Sequence, residues 1–237
     1  MEASAKELDT RVDGPALATA LADEFAALAA QPLPVLTLAE RAAAAVDSWS
    51  DHAPDRTRRA CRAGCSHCCY MAVSVTPVEA LWLAARLRAT WPPAELAALI
   101  DRIAGTAARV SALTIEARAA ARVPCALLSP DGRCTVHPFR PLGCRGWTSF
   151  SAELCAAALA AGEPGHSGPC DRVALAVAGG VTEGLERGFR SAGLEAGHYE
   201  LHAALMRALT HPHVAEQWRR GRSVFGDLPR VASERLR

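Results

Sequence analysis

Four thiols fall within nine residues at Cys61-Arg-Ala-Gly-Cys65-Ser-His-Cys68-Cys69. Gaps of three and two residues between Cys61, Cys65 and Cys68 let one loop fold its thiolates around a single soft centre. Sulfur donors favour zinc, Cu(I) or iron-sulfur clusters and disfavour calcium and magnesium, which want oxygen. A second set follows at Cys125, Cys134 and Cys144, with Cys155 and Cys170 further on. Between Cys125 and Cys134, Asp131-Gly132 separates two short apolar runs. That is a hairpin signal, and it brings the two cysteines together at the base of a two-stranded ribbon. Adjacent Cys68 and Cys69 project in different directions, so one tetrahedral ion rarely takes both. One of them then serves a centre with Cys61 and Cys65, and the other turns toward the hairpin thiols.

The elements that must position these thiols read as helices. Leu17 to Ala30 and Leu36 to Trp49 have helical character, separated by Gln31-Pro32-Leu33-Pro34. Val73-Ser-Val75 suits a short strand, and Thr76-Pro77-Val78-Glu79 is a capping box that opens a helix buried along Val78, Leu81, Trp82 and Ala85. A long helix is expected from Pro92-Pro93, with Leu96, Leu99, Ile100, Ile103, Val110 and Leu113 on one face, ending near Val123-Pro124. Further helices are expected at about 151–161, 171–191, 196–210 and 214–221, with Gly179-Gly180 kinking or breaking the second of these. Residues 1–14 read as a frayed end and the tail from Gly226 as mobile. The predicted fold class is mainly α, a helical domain around a cysteine-rich metal-binding loop region with one short β-hairpin. The expected organisation is an N-terminal helical extension over 1–55, a cysteine-cluster domain over 56–180 and a C-terminal helical extension over 181–237.

Composition narrows the function classes. The 237-residue chain is 50% hydrophobic, enough for one good core, and its formal net charge of +1 supplies no field for nucleic acid or a membrane surface. Nine cysteines are too sparse for a disulfide-built mini-fold, and no apolar run follows a basic start at Met1. A reducing cytoplasm is therefore expected, where clustered cysteines read as metal-binding or catalytic. Neither a membrane nor a nucleic-acid partner is expected. The partners expected are a metal ion and, through the flanking helices, another protein.

Taken together, the two cysteine stretches resemble the CxxCxxCC cysteine-cluster family (the YkgJ type), a zinc- or iron-chelating domain. The likeness is carried by the Cys68-Cys69 pair, the Cys125-Ala-Leu127 start of the hairpin, Cys134 at its end, and Arg140-Pro141 followed by Cys144-Arg145 and the aromatic Trp147. It covers roughly residues 61 to 180. Three departures stand out: three residues after Cys61 where the family has mostly two, His67 in place of the usual glycine, and His137 where tyrosine is common. The resemblance implies an eighth cysteine downstream. Cys170, followed by Asp171-Arg-Val-Ala174 and a glycine pair, fits that place better than Cys155 in its alanine-rich helix. The implied metal set is Cys61, Cys65, Cys68, Cys69, Cys125, Cys134, Cys144 and Cys170.

Iron, as an iron-sulfur cluster or otherwise, is favoured over zinc because the closely spaced cysteines do not form the two C-x2-C pairs of zinc knuckles. The leading function is metal binding. A second class is a cluster-dependent oxidoreductase or protein-modifying enzyme, similar to the flagellin lysine N-methylases that carry a like cysteine pattern; a third is a zinc-stabilised protein-interaction module. The Cys61-x3-Cys65-x2-Cys68 spacing is also that of radical S-adenosylmethionine enzymes, but the helical sequence downstream does not alternate strands and helices as their barrel requires. No Gly-rich phosphate loop, Ser-His-Asp arrangement or pair of carboxylates supports a specific reaction. His67 and His137 are candidates for ligating or supporting roles, whereas His198 and His202 read as packing residues. Arg140 and Arg145 read as holding loop carbonyls and thiolates. The run Arg56, Arg58, Arg59 and Arg62 is either a solvated linker or a set of cations acting on the thiols.

Overall fold

The computed structural model describes residues 14–53, 55–163, 170–211 and 213–231. Among them the chain forms ten α-helices and a two-stranded antiparallel sheet. No helix there is long and apolar enough to cross a membrane.

The most extensive helix pairing joins α1 (Gly14–Ala29) to α8 (Arg172–Ser191). The break expected at Gly179-Gly180 does not occur; α8 runs unbroken. Gly180, Gly184 and Gly188 recur every fourth residue and face Ala18, Ala22 and Ala26 of α1. A Cβ on Gly184 would stand 2.5 Å from the Ala22 carbonyl oxygen, and one on Gly188 would stand 2.5 Å from that of Ala26. The glycines are there so that two backbones can approach closely. Helix α2 (Val35–His52) crosses this pair and buries Leu38, Ala42 and Val46.

Strand β1 (Ser74–Val75) leads into α3 (Pro77–Thr90), whose capping box forms as the sequence predicts. The Glu79 backbone N–H donates to Thr76 Oγ1 at 3.4 Å, and Glu79 Oε2 accepts the Thr76 N–H at 2.8 Å. Helix α4 (Pro93–Val110) buries Leu99, Ile103 and Val110 but stops short of the expected Val123. Thr114 then caps a separate short helix, α5 (Ile115–Ala121), by accepting the Ala117 N–H at 3.1 Å.

After the cysteine region come α6 (Leu142–Gly146) and α7 (Ala152–Ala161). The helix expected from 196 starts instead at α9 (Leu201–Thr210), because Tyr199–Glu200 is spent as strand β2, paired Ser74↔Glu200 and Val75↔Tyr199. Glu200 then caps α9 by accepting the Ala203 N–H at 2.9 Å. Helix α10 (Val214–Arg219) packs Trp218 edge-on against Phe189, with ring centroids 5.0 Å apart. The tail expected to be mobile from Gly226 is tied down for part of its length: Pro229 O accepts the Glu200 N–H at 2.9 Å and Asp227 pairs with Arg207 at 2.8 Å. The end expected to fray, apart from Gly14, and residues 232–237 lie outside the described residues. One continuous core joins α1 to α4 with α8 to α10, and Leu127, Val136 and Leu142 of the cysteine region are buried in it.

Candidate metal centre

Backbone hydrogen bonds fold the first cysteine loop against the later strand-like segments. The Ser149 N–H donates to Cys61 Sγ at 3.3 Å, and Ser149 O accepts the Ala60 N–H at 2.9 Å. Gly64, at φ 87°, turns the chain so that the Cys65 N–H reaches Arg62 O at 3.0 Å. Cys68 and Cys69 sit in a single 3-10 turn, His67–Tyr70. From it, Cys69 O accepts the Cys125 N–H at 2.8 Å, joining the loop to the hairpin.

The hairpin is present, but its ribbon shrinks to one bridge, Leu128↔Cys134, turned by Gly132 at φ 80°. Its tip packs on the first loop: a Cβ on Gly132 would lie 3.1 Å from Gly64 O. Cys144 rides on α6, which is fixed to the α3 cap because Glu79 Oε1 accepts the Leu142 N–H at 2.8 Å. Sequence spacing thus brings the first loop, the hairpin and α6 into one place, as expected.

The thiols form two groups that meet at Cys68. An outer group of Cys61, Cys65, Cys68 and Cys155 lines an apolar-walled cleft with His67 and Trp147. Cys61 is exposed and the other three are half-buried. An inner group, Cys125, Cys134 and Cys144, lies beside Cys68 and Cys69. Cys155, set aside on the sequence as a helix-packing residue, stands on the wall of the outer cleft. Cys170 is not on that wall; its backbone forms the isolated bridge Ser149↔Cys170.

Every shift resolved for these thiols is upward. Burial pushes Cys125 up to about 11, with the Leu127 N–H and Arg118 pulling the other way. Burial lifts Cys144 well above the usual thiol range, and Cys68, Cys125 and Cys134 add to that while Arg140 offsets it. Cys68 is raised chiefly by its hydrogen bond with Cys69 and then by burial. Burial also raises Cys61, against the Ser149 N–H, with Cys68, Cys65 and Cys155 adding to the rise. Burial raises Cys134 and Cys170 as well; Cys155 adds to the rise at Cys170.

Deprotonation is thus disfavoured at Cys61, Cys68, Cys125, Cys134, Cys144 and Cys170, by burial and in part by neighbouring thiols. A cation that replaces those protons relieves both penalties. The all-sulfur donor set fits zinc or iron. Among the described residues, no group of three or more thiols, imidazoles or carboxylates is placed so that it could hold a metal ion as it stands.

The basic run holds loops. Arg59 pairs with Asp171 at 2.8 Å, bonds Ser50 and lies over Trp49, while Arg58 lies over Phe150 and Arg56 donates to Asp51 O. Arg145 donates to Arg140 O at 3.0 Å and Pro138 O at 2.6 Å and pairs with Asp47, in line with the expected role on loop carbonyls. Arg140 bonds His137 O at 2.9 Å and also acts electrostatically on Cys68, Cys134 and Cys144. His67 lines the cleft. His137 sits against Arg140, its pKa lowered by burial and then by Arg140 and Arg145. His198 pairs with Glu186 at 3.0 Å, and His202 is buried on Glu200 at 2.7 Å, so the two do not form a metal pair. Sequence reasoning missed Arg118, an arginine buried in the alanine-rich α5 whose charge acts on Cys125; no motif marks it.

Comparison with known proteins gives one finding. Residues 60–157 match the CxxCxxCC family model, described as a "putative zinc- or iron-chelating domain". The matched segment contains Cys61, Cys65, Cys68, Cys69, Cys125, Cys134, Cys144 and Cys155, and it ends before Cys170. No curated protein and no solved structure matches the chain.

Proposed function

We propose, on the match of residues 60–157 to the CxxCxxCC family model, that the chain's thiols hold iron in one polynuclear thiolate centre with Cys68 at the junction. The observation that carries this reading is the position of Cys68, which acts electrostatically on Cys61 of the outer group and on Cys125, Cys134 and Cys144 of the inner one. Two independent tetrahedral sites would have to divide that region between them, whereas a thiolate at a junction can serve two metal ions; the preference for iron rests on the spacing, which does not form the two C-x2-C pairs of zinc knuckles. The proposed ligands are Cys61, Cys65, Cys68, Cys69, Cys125, Cys134, Cys144 and Cys155, with Cys155 rather than Cys170 in the last place because it faces the outer cleft.

The chain's own contribution is to arrange the donors and their charge. The Ser149 and Leu127 N–H groups donate to the sulfurs of Cys61 and Cys125. Arg140 offsets negative charge where Cys68, Cys134 and Cys144 meet. Iron, when bound, would supply one-electron redox chemistry that zinc cannot. Nine cysteines, all free, suit a reducing compartment, and we place the protein in the cytoplasm.

The test is metal and labile-sulfide analysis with a visible spectrum on the full chain purified without oxygen. Brown protein with more than one iron per chain supports the proposal. Colourless protein holding zinc overturns iron but keeps chelation, and metal-free protein overturns both.

A further inference from the structure

Away from the thiols, a cavity of about 360 Å³ opens between the turn that follows α8, strand β2 and the loop that follows α10. Part of its wall is bare backbone. Gly193, at φ 71°, and Gly221, at φ 73°, bring two segments so close that a Cβ on Gly221 would stand 3.2 Å from Gly193 O. Glu195 ties the same segments together. Its Oε1 accepts the Ser223 hydroxyl at 2.7 Å, the Phe225 N–H at 3.1 Å and the Tyr199 hydroxyl at 3.3 Å, and its Oε2 accepts the Val224 N–H at 2.8 Å. This carboxylate is spent on the chain's own donors, so it holds the wall and offers a ligand little.

The other charged side chain on the wall, Arg230, is held but not spent. Its guanidinium lies over the Tyr199 ring, 5.2 Å from the centroid. Its Nη1 and Nη2 stand 3.2 and 3.3 Å from where Gly197 would carry a Cβ, so the bare Gly197 backbone, at φ 149°, leaves the guanidinium room to lie there. The chain just before it is anchored, because Pro229 O accepts the Glu200 N–H at 2.9 Å. Arg230 is nevertheless exposed and, among the described residues, no carboxylate pairs with it. A guanidinium fixed in place with its fork of donors free suits a planar oxyanion, which it can hold through two parallel N–H bonds. Leu194, Ala196 and Tyr199 line the same cavity and offer apolar surface beside that fork. The volume lies within the range of small-molecule sites, about 300–1,000 Å³.

We propose that this cavity binds a small organic carboxylate, with Arg230 taking the carboxylate group and Leu194, Ala196 and Tyr199 its apolar body. The site shares no residue with the thiol cleft, and the proposal stands or falls independently of metal binding.

Calorimetric titration of the full-length chain tests it, with benzoate as the probe, benzamide as its uncharged match and inorganic phosphate as an oxyanion without an apolar body. Benzoate should saturate one site per chain, and benzamide and phosphate should each bind at least about 10-fold more weakly, since each lacks one half of what the site recognises. Arg230→Gln should weaken benzoate about 10-fold or more and leave benzamide within about twofold. Should that variant not fold, Arg230→Lys reads the same loss, because lysine keeps the charge but not the fork of donors. Absence of saturable benzoate binding, or benzoate binding unchanged in the variant, would overturn the proposal. Phosphate binding as tightly as benzoate would overturn it too, because an exposed arginine that takes any anion is not a carboxylate site.

Discussion

The outer and inner thiol groups share a donor chemistry and differ in what lies behind them. The inner group is wired into the core. Glu79 holds α6 under Cys144, Cys69 O holds Cys125, and Leu127, Val136 and Leu142, buried from the same segment, pack among the helices. The outer group rests on a loop and on α7, whose one fully buried side chain is Ala158 and whose Leu154 is 52% exposed. Metal-binding energy is folding energy because the site does not exist in the unfolded chain, and it reaches the whole molecule where the ligands' elements are packed into the core. Metal at the inner end is therefore expected to stabilise the whole molecule, and metal at the outer end to order its surroundings locally.

The largest expected effect contrasts Cys144→Ser with Cys61→Ser. The first should lose metal and lower the melting temperature by roughly 10 °C or more, as loss of several kcal/mol does in a chain of this size. The second should keep the inner metal and melt within a few degrees of wild type, with the change confined to the fluorescence of Trp147 beside the outer cleft. Metal analysis and thermal melts of both variants would break the comparison if the two losses were equal.

Stability against pH should sharpen it. In metal-free protein Cys125 is raised from 9.0 to about 11, so its folded-state pKa lies above the unfolded one. Its contribution is present below about pH 9 and is lost as pH climbs through about 11, about 2–3 kcal/mol for this thiol alone. In metal-loaded protein the ligands are deprotonated and stability should instead fall as pH drops and protons compete for sulfur. Melts of the two forms across neutral to alkaline pH should slope oppositely, and Cys125→Ser should flatten the metal-free curve. Parallel slopes would mean that these thiols do not gather a metal.

A control of about 1–3 kcal/mol lies away from both groups. Gly184→Ala puts a methyl against Ala22 O, where an ideal Cβ stands at 2.5 Å, and should destabilise by overpacking α1 against α8. Its metal content should stay at the wild-type value. Metal loss in this variant would show that the inner group depends on the whole core rather than on the elements named here.

How much of this was legible in the sequence depended on whether the signal was local. Thr76-Pro77-Val78-Glu79 encodes its capping box in four consecutive residues, and Asp131-Gly132 encodes its turn in two; both form as read. The glycines of α8 were misread because the same residue that loosens an isolated helix is required where another backbone approaches, and only the position of α1 shows which case applies. Similarly, Thr114 was hidden inside a run of helix formers until its side chain was seen to cap α5. In the site, types and spacing gathered Cys61, Cys65, Cys68, Cys69, Cys125, Cys134 and Cys144 in one region. They could not reveal the buried pair Arg118–Glu200, which is created by the tertiary meeting of α5 and β2.

The finest distinction separates Cys155 from Cys170. On the sequence, Cys170 is the implied eighth cysteine because its place fits the family pattern better than that of Cys155 in its alanine-rich helix. The structure places the helix itself at the cleft: α7 starts at its Ser151 cap, which accepts the Leu154 N–H at 3.1 Å, and one turn carries Cys155 to the wall shared with Cys61, Cys65 and Cys68. Cys170 does not line that cleft; its backbone is paired to Ser149, whose N–H is already given to Cys61. Cys155→Ser is therefore expected to reduce the metal bound per chain at the outer end, since a serine oxygen replaces a soft thiolate poorly. Cys170→Ser is expected to keep the full complement. Neither change should cost the fold more than about 1 kcal/mol, because a hydroxyl at either half-buried position can still find a hydrogen-bond partner. Metal-to-protein ratios of the two variants decide it: retention in Cys155→Ser with loss in Cys170→Ser would return the last ligand to Cys170 and move the outer centre from the cleft toward Ser149.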